Sequence, residues 1–365
     1  MDIIINLMDS FTVSALKYRP QKFEEVVGQF HVTSTLINAI KTNQLAQALL
    51  FCGPRGVGKT SCARILAKKI NENDNSTLDE NFSYNIFELD AASNNSVEDI
   101  RKLNEQIRIP PQIGKFKVYI IDEVHMLSLS AFNAFLKTLE EPPKHVIFIL
   151  ATTEKNKIIP TILSRCQIYD FKRINVSEIK ESLVNICKLK NLNYDNDALI
   201  LISQKADGSM RDALSIFDRM VSFTSGKISL SEVSKNLNIL NHESFFNICD
   251  LIKENKIPDL LIEINKIINL GYEPINILNG LSNHIRMLIL SKDDKTSDII
   301  VYGKETQLKY HEQSKEFEIK WLINSLNILK EAEISNKSSL NKRLNSELCI
   351  MQLASLHING EKKNL

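Results

Sequence analysis

ALLFCGPRGVGKTSCARILAKKI, residues 48–70, places a short apolar run, a glycine-rich turn and a helix-forming stretch in that order. The run ALLF (48–51) has the length of a buried strand, and SCARILAKKI reads as a helix. Between them Gly53, Gly56 and Gly58, with Pro54, Arg55 and Val57, turn the chain just before Lys59, Thr60 and Ser61. The loop matches G-x-x-x-x-G-K-[ST]. The strand before it and the helix after it separate a phosphate-binding loop from a glycine-rich turn carrying a solvated lysine. In that setting backbone N–H groups and the helix N-terminus face the phosphates. Lys59 reaches the β- and γ-phosphates, and Thr60 ligates magnesium.

The surrounding chain has 365 residues, which predicts two or three domains. Its apolar fraction of 43% and charged fraction of 24% are those of a globular protein. No apolar run approaches the roughly 20 residues of a membrane helix. The opening MDIIINLMDS lacks the basic region of a secretory signal, so a cytoplasmic location is expected. A net charge of +1 argues against a uniformly basic nucleic-acid binder while leaving room for a local basic groove. The six cysteines form no C-x-x-C pair and read as buried, reduced thiols.

Further apolar runs follow at NIFELDA (85–91), KVYIIDE (117–123), HVIFILAT (145–152) and IYDF (168–171), most of them separated by helical patterns. Alternating strands and helices predict a parallel sheet covered on both faces. Residues 71–85 read as a polar surface loop. Past Phe171 the pattern turns helical. Asn175 and Glu178 resemble a capping box ahead of Ile179, Leu183 and Ile186, and after Asp207-Gly208-Ser209 a helix begins near Met210. Beyond Leu237 only helical stripes remain, among them Phe245, Ile248, Cys249 and Ile252, then Leu260, Ile264, Ile267 and Ile268. Such stripes are core or subunit interface far more often than cofactor sites. The division expected is 1–172 for nucleotide binding, 173–236 for a small helical domain and 237–365 for a C-terminal helical domain.

A magnesium–triphosphate site needs a carboxylate on a neighbouring strand. Asp122 ends the run KVYIID and is placed to hold the metal, directly or through water; Glu123 is placed to polarise the attacking water. Neighbouring residues on a strand point to opposite faces, so both acids belong where the backbone turns. His125 reads as a hydrogen-bonded structural histidine rather than a proton shuttle. Thr153, in preference to Thr152, is placed to bond the γ-phosphate or the water, though a threonine capping a strand end reads the same way. Arg165 reads equally as an arginine acting on the phosphoryl group of a neighbouring subunit and as a solvated surface residue.

KYRPQKFEEVVGQ (17–29), GPRGVGKT, ELDAASNNSVEDIR (88–101), YIIDEVHMLS (119–128), FLKTLEEPP (135–143), ATTE, ILSRC (162–166) and GSMRDAL (208–214) occur together and in order. The set resembles the gamma/tau subunit family of bacterial DNA polymerase III, the AAA+ motor of the clamp loader. The resemblance implies a P-loop AAA+ domain, a helical lid and an oligomerising collar. It implies ATP hydrolysis with magnesium, and other clamp-loader and polymerase III subunits, a sliding clamp and primer-template DNA as partners, with no membrane. It places Tyr18, Arg19, Pro20, Val26 and Val27 against the adenine and makes Thr153 the polar sensor. Arg165 becomes a finger into the adjoining subunit, and Arg211 a second sensor on the lid, whose rotation couples nucleotide state to subunit shape.

Two departures accompany the resemblance. Family members usually carry a four-cysteine zinc module before the second strand; NENDNSTLDENFSY stands there without cysteine, so no zinc is expected. The helical segment is followed only by the polar tail NGEKKNL, which implies the short form without the extension that contacts polymerase and helicase. Met8 opens MDSFTVSALKYRP and is an alternative start, with Met1–Leu7 then an upstream arm.

Overall fold

The computed structural model describes residues 13–72, 85–111, 114–224, 226–237, 240, 242–297 and 304–356. The Met1/Met8 start, most of the cysteine-free interval and the polar tail lie outside the described residues. The chain divides into two compact units, one formed by Met1–Ile186 with Ser203–Arg219 and the other by Cys187–Ile202 with Met220–Leu365. Residues 173–186 and 203–219 belong to the first unit, and 187–202 and 220–236 to the second.

In chain order the first unit contains α1 (Ser14–Lys17), α2 (Phe30–Lys41), β1 (Ala48–Cys52), α3 (Lys59–Lys69), β2 (Ile86–Asp90), α4 (Val97–Ile107), β3 (Lys117–Asp122), α5 (Leu129–Glu140), β4 (Val146–Thr152), α6 (Pro160–Leu163) and β5 (Gln167–Asp170). The strands lie in the order β2-β3-β4-β1-β5, every pairing parallel. All of β1 and β4 is buried, which is why these strands read as unbroken apolar runs. Alternation along each strand assigns side chains to two faces. Leu50, Ile121 and Leu150 pack with Ile100 of α4 and Phe135 of α5. Leu49, Phe51, Ile120 and Ile149 pack with Leu36 of α2 and Leu66 of α3. Each such fully buried side chain contributes about 1.5–3 kcal/mol. Asn71 joins the end of α3 to the start of β3: its amide oxygen accepts from Lys115 N and Phe116 N, and its amide nitrogen donates to Phe116 O.

Next come α7 (Val176–Leu189), β6 (Asn193–Tyr194), α8 (Asn196–Lys205), α9 (Met210–Phe223), β7 (Lys227–Ile228) and α10 (Leu230–Asn236). Asn175 N donates to Glu178 Oε2 at 3.1 Å, one arm of the expected capping box. The parallel pair β6–β7 is a correction to the all-helical reading; two residues per strand are too few to show a period of two.

The second unit continues with α11 (His242–Lys253), α12 (Ile257–Asn269), α13 (Pro274–Leu290), α14 (Asp294–Ser297), α15 (Lys304–Lys315), α16 (Ile319–Ser338) and α17 (Lys342–Ser355). The expected stripes form its core, with Phe245, Ile248, Leu260 and Ile264 meeting Leu281, Trp321 and Ile350. Ile268 is only partly buried. Inside this core His284 Nε2 donates to Gln313 Oε1 at 2.9 Å, and its Nδ1 accepts from Tyr310 Oη at 3.1 Å. Gln313 Nε2 donates onward to Asp250 Oδ1 and Phe246 O. Five cysteines are buried, but Cys166 is half-exposed because it precedes the edge strand β5. No helix among the described residues is long and apolar enough to cross a membrane.

Candidate nucleotide-binding site

Strands β3, β4 and β1 are adjacent and parallel, so their carboxyl ends deliver three loops to one edge of the sheet, the place where open α/β sheets bind ligands. Cys52 pairs with Thr152, and Gly53 N donates to Thr152 O at 3.2 Å, which locks the start of the glycine loop to the end of β4. Two glycines are sterically required. A Cβ on Gly53 would lie 2.4 Å from Phe171 O, and one on Gly56, at φ +74°, would lie 2.0 Å from Ser209 Oγ. Lys59 opens α3 and is buried, its Nζ donating to Gly53 O and Pro54 O at 2.8 Å each. Burial lowers its pKa, with Glu123 and then Asp122 pulling the other way. Gly53 and Pro54 thus act on the ammonium rather than on the cleft wall.

Thr60 Oγ1 donates to Asp122 Oδ2 at 2.7 Å. The strand ends there: Glu123 adopts φ +48°, a left-handed conformation costing on the order of 1–3 kcal/mol for a residue with a side chain. That turn brings Glu123 to the same side as Asp122, and Thr153 Oγ1 donates to Glu123 Oε2 at 3.0 Å. The two threonines differ in what they do. Thr152 is buried, accepts from Glu154 N and bonds His125 Nδ1 at 3.0 Å, so it closes the strand end. Thr153 orients the second acid. His125 is buried and hydrogen-bonded, and lies 3.5 Å from Glu123 and 3.4 Å from Glu154.

These groups open on a cleft of about 280 Å³, all of whose lining belongs to the first unit. Its lining combines Arg55 to Ser61, Asp122 and Glu123 with Tyr18, Arg19, Pro20, Val26 and Val27. Arg19 Nε donates to Ser61 Oγ at 3.2 Å, and burial, ahead of the repulsion from Arg64, lowers its pKa. Arg211 also lines the cleft. The N–H groups of Met210 and Arg211 meet Gly56 O at 3.0 and 3.4 Å, fixing the start of α9 on the loop. Arg165 stands elsewhere, donating to Thr161 O at 2.7 Å and pairing with Glu140.

Ile174, Ser182, Ile186 and Leu214 also line the cleft. Ile186 stood in a helical pattern that marks burial without saying what is buried, and Leu214 closed the motif GSMRDAL. Nothing local in the sequence marks Ile174 or Ser182.

Two family profiles match the chain: "DNA polymerase III, delta subunit" over residues 28–175 and "DNA polymerase III clamp loader subunit, ATPase lid domain" over 178–226. It is 36% identical over 349 residues to DNA polymerase III subunit tau of Bacillus subtilis (strain 168), covering 92% of this chain and 62% of that protein. It is 36% identical over 315 residues to DNA polymerase III subunit gamma of Buchnera aphidicola subsp. Schizaphis graminum, covering 82% of this chain and 86% of that one. Against the tau subunits of Bacillus subtilis, Salmonella typhimurium and Escherichia coli it spans 62%, 43% and 46% of their length. Among solved structures, the Thermotoga maritima RuvB Holliday junction branch migration motor aligns with a TM-score of 0.49 at 20% identity, over 68% of this chain and 85% of that one. By its sequence relatives the chain belongs to the DNA polymerase III gamma/tau family.

Proposed function

We propose that this chain is the ATP-driven motor subunit of a DNA polymerase III clamp loader, hydrolysing ATP to place a sliding clamp on primed DNA during replication. The observation that carries the reading is the convergence of Lys59, Thr60, Asp122 and the Thr153-held Glu123 on one cleft. Tyr18, Pro20, Val26 and Val27, which also line it, suit an adenine.

Magnesium fits the cleft, since a hydroxyl and a carboxylate are hard oxygen donors; Thr60 and Asp122 would hold it. When bound it would supply charge neutralisation for the triphosphate. The loop N–H groups and the start of α3 bind phosphate oxygens. Lys59 exchanges its carbonyl partners for phosphate. Glu123, fixed by Thr153, orients the attacking water. Arg211 approaches the nucleotide from α9, and Arg165 serves the adjoining subunit's nucleotide, stabilising the phosphoryl charge.

On this reading 1–172 is the AAA+ domain, 173–236 the lid and 237–365 the collar. The partners are other loader and polymerase III subunits, the clamp and primer-template DNA, in the cytoplasm and without a membrane. The chain serves a DNA-directed DNA polymerase, a nucleotidyltransferase, without being its polymerising subunit. It needs ATP and magnesium and no zinc. Clamp loading onto primed DNA by an assembled loader carrying Lys59→Ala tests this. Loading is lost if Lys59 serves ATP; normal loading refutes the assignment.

A further inference from the structure

The N–H and hydroxyl of Ser14 both end on one carboxylate 204 residues away. Ser14 N donates to Asp218 Oδ2 at 2.6 Å, and Ser14 Oγ donates to Asp218 Oδ1 at 2.5 Å. Both residues are buried. A buried carboxylate is costly unless hydrogen-bonded, and bonds to an ionised acceptor are among the stronger ones. Ser14 is the first residue of α1, where the N–H has no partner within the helix, so Asp218 caps it from a distance.

The clasp joins two segments that line the same cleft. Directly after α1 come Tyr18, Arg19 and Pro20, which line the cleft and which the proposed function sets against the base. Asp218 sits on α9, and Arg211, Leu214 and Asp218 are spaced i, i+3, i+7, on one helix face. That face therefore carries two cleft-lining residues, Arg211 and Leu214, and the fastening for the Tyr18–Pro20 segment. Burial, and then the charge of Asp218, raise the pKa of the Tyr18 hydroxyl, consistent with a carboxylate close to that segment.

We propose that the Ser14–Asp218 clasp sets the base end of the cleft, with Asp218 a positioning residue that holds the Tyr18–Pro20 segment for a purine base while touching no ligand itself. The inference rests on reading the cleft as a nucleotide site. A ligand with a base should feel the clasp; one with phosphates alone should not.

The test displaces N-methylanthraniloyl-ATP from the full chain with ATP and, separately, with inorganic tripolyphosphate, in wild type, Asp218→Asn and Ser14→Ala. In Asp218→Asn, ATP affinity falls about tenfold, the size of one hydrogen bond to a charged group, while tripolyphosphate stays within about twofold. Ser14→Ala, a milder change should Asp218→Asn not fold, shifts ATP in the same direction and spares tripolyphosphate. Equal ATP affinity in wild type and both variants overturns the clasp alone. Parallel loss of ATP and tripolyphosphate binding also overturns it, since it marks general loss of the fold. A wild-type chain that binds neither ligand overturns the nucleotide reading beneath it.

Discussion

Thr60 Oγ1 donates to Asp122 Oδ2 at 2.7 Å, so the first turn of α3 and the last residue of β3 share one oxygen-rich point beside the glycine loop. If that point takes magnesium, removing the hydroxyl weakens metal binding by about 10–100-fold, the scale for losing a supporting metal contact. Magnesium titration of ATP turnover should show this shift in Thr60→Ala and its absence in Thr60→Ser. Identical magnesium midpoints in all three proteins would remove Thr60 from the metal site.

Arg165 bonds Thr161 O and Glu140 of its own chain and is absent from the cleft lining. Arg165→Ala should therefore leave ATP affinity of the isolated chain unchanged. In the assembled loader its loss should lower DNA-stimulated turnover by about 10³–10⁵, as for other arginine fingers. A drop in the isolated chain's ATP affinity would place Arg165 in its own subunit's site instead.

Gly280 lies inside α13, where a Cβ would come 2.1 Å from Cζ of the buried Phe245 ring. Gly280→Ala gains about 0.5–1 kcal/mol in helix propensity and loses about 1–3 kcal/mol to overpacking. A net loss of about 1–2 kcal/mol is expected, and Phe245→Leu in the same chain should recover part of it. The single tryptophan, Trp321, belongs to this core, so urea unfolding followed by its fluorescence reads the effect directly. A more stable Gly280→Ala would contradict the clash.

Burial lowers the pKa of His284 to about 4, against a smaller opposing effect of its bond to Gln313. Above pH 6.5 the imidazole is neutral whether the chain is folded or unfolded. Below 6.5 the unfolded chain takes up a proton that the folded chain refuses until about pH 4. The stability contribution of His284 is therefore complete at neutral pH and is lost between pH 6.5 and 4, by about 3 kcal/mol. Trp321-detected unfolding at several pH values should show that slope reduced in His284→Gln. An unchanged slope would mean that His284 is charged inside the core.

Much of this was legible in the sequence because it rests on local chemistry. The runs at ALLF and HVIFILAT could become strands covered on both faces, and only Gly tolerates the backbone at 56. The end of β3 and a turn at the two acids were readable, but the left-handed conformation of Glu123 was not, since Glu is not a residue that favours it. The sequence preferred Thr153 to Thr152 without separating a phosphate contact from a strand-end cap; in the fold Thr152 ends β4 and meets His125, while Thr153 follows it and meets Glu123. What stayed hidden is long-range. Ser14 and Asp218 are 204 residues apart, and Ile174 and Ser182 reach the cleft only through the folded chain. The two-residue strands β6 and β7 were too short to carry any period.

In the proposed function hydrolysis depends on Glu123 to orient the attacking water. The most direct measurement is ATP turnover by the assembled loader, with clamp and primed DNA, in wild type and Glu123→Gln. A positioned general base contributes about 10²–10⁴-fold, so turnover should fall by that factor while ATP affinity is retained. Undiminished turnover in Glu123→Gln would contradict the account.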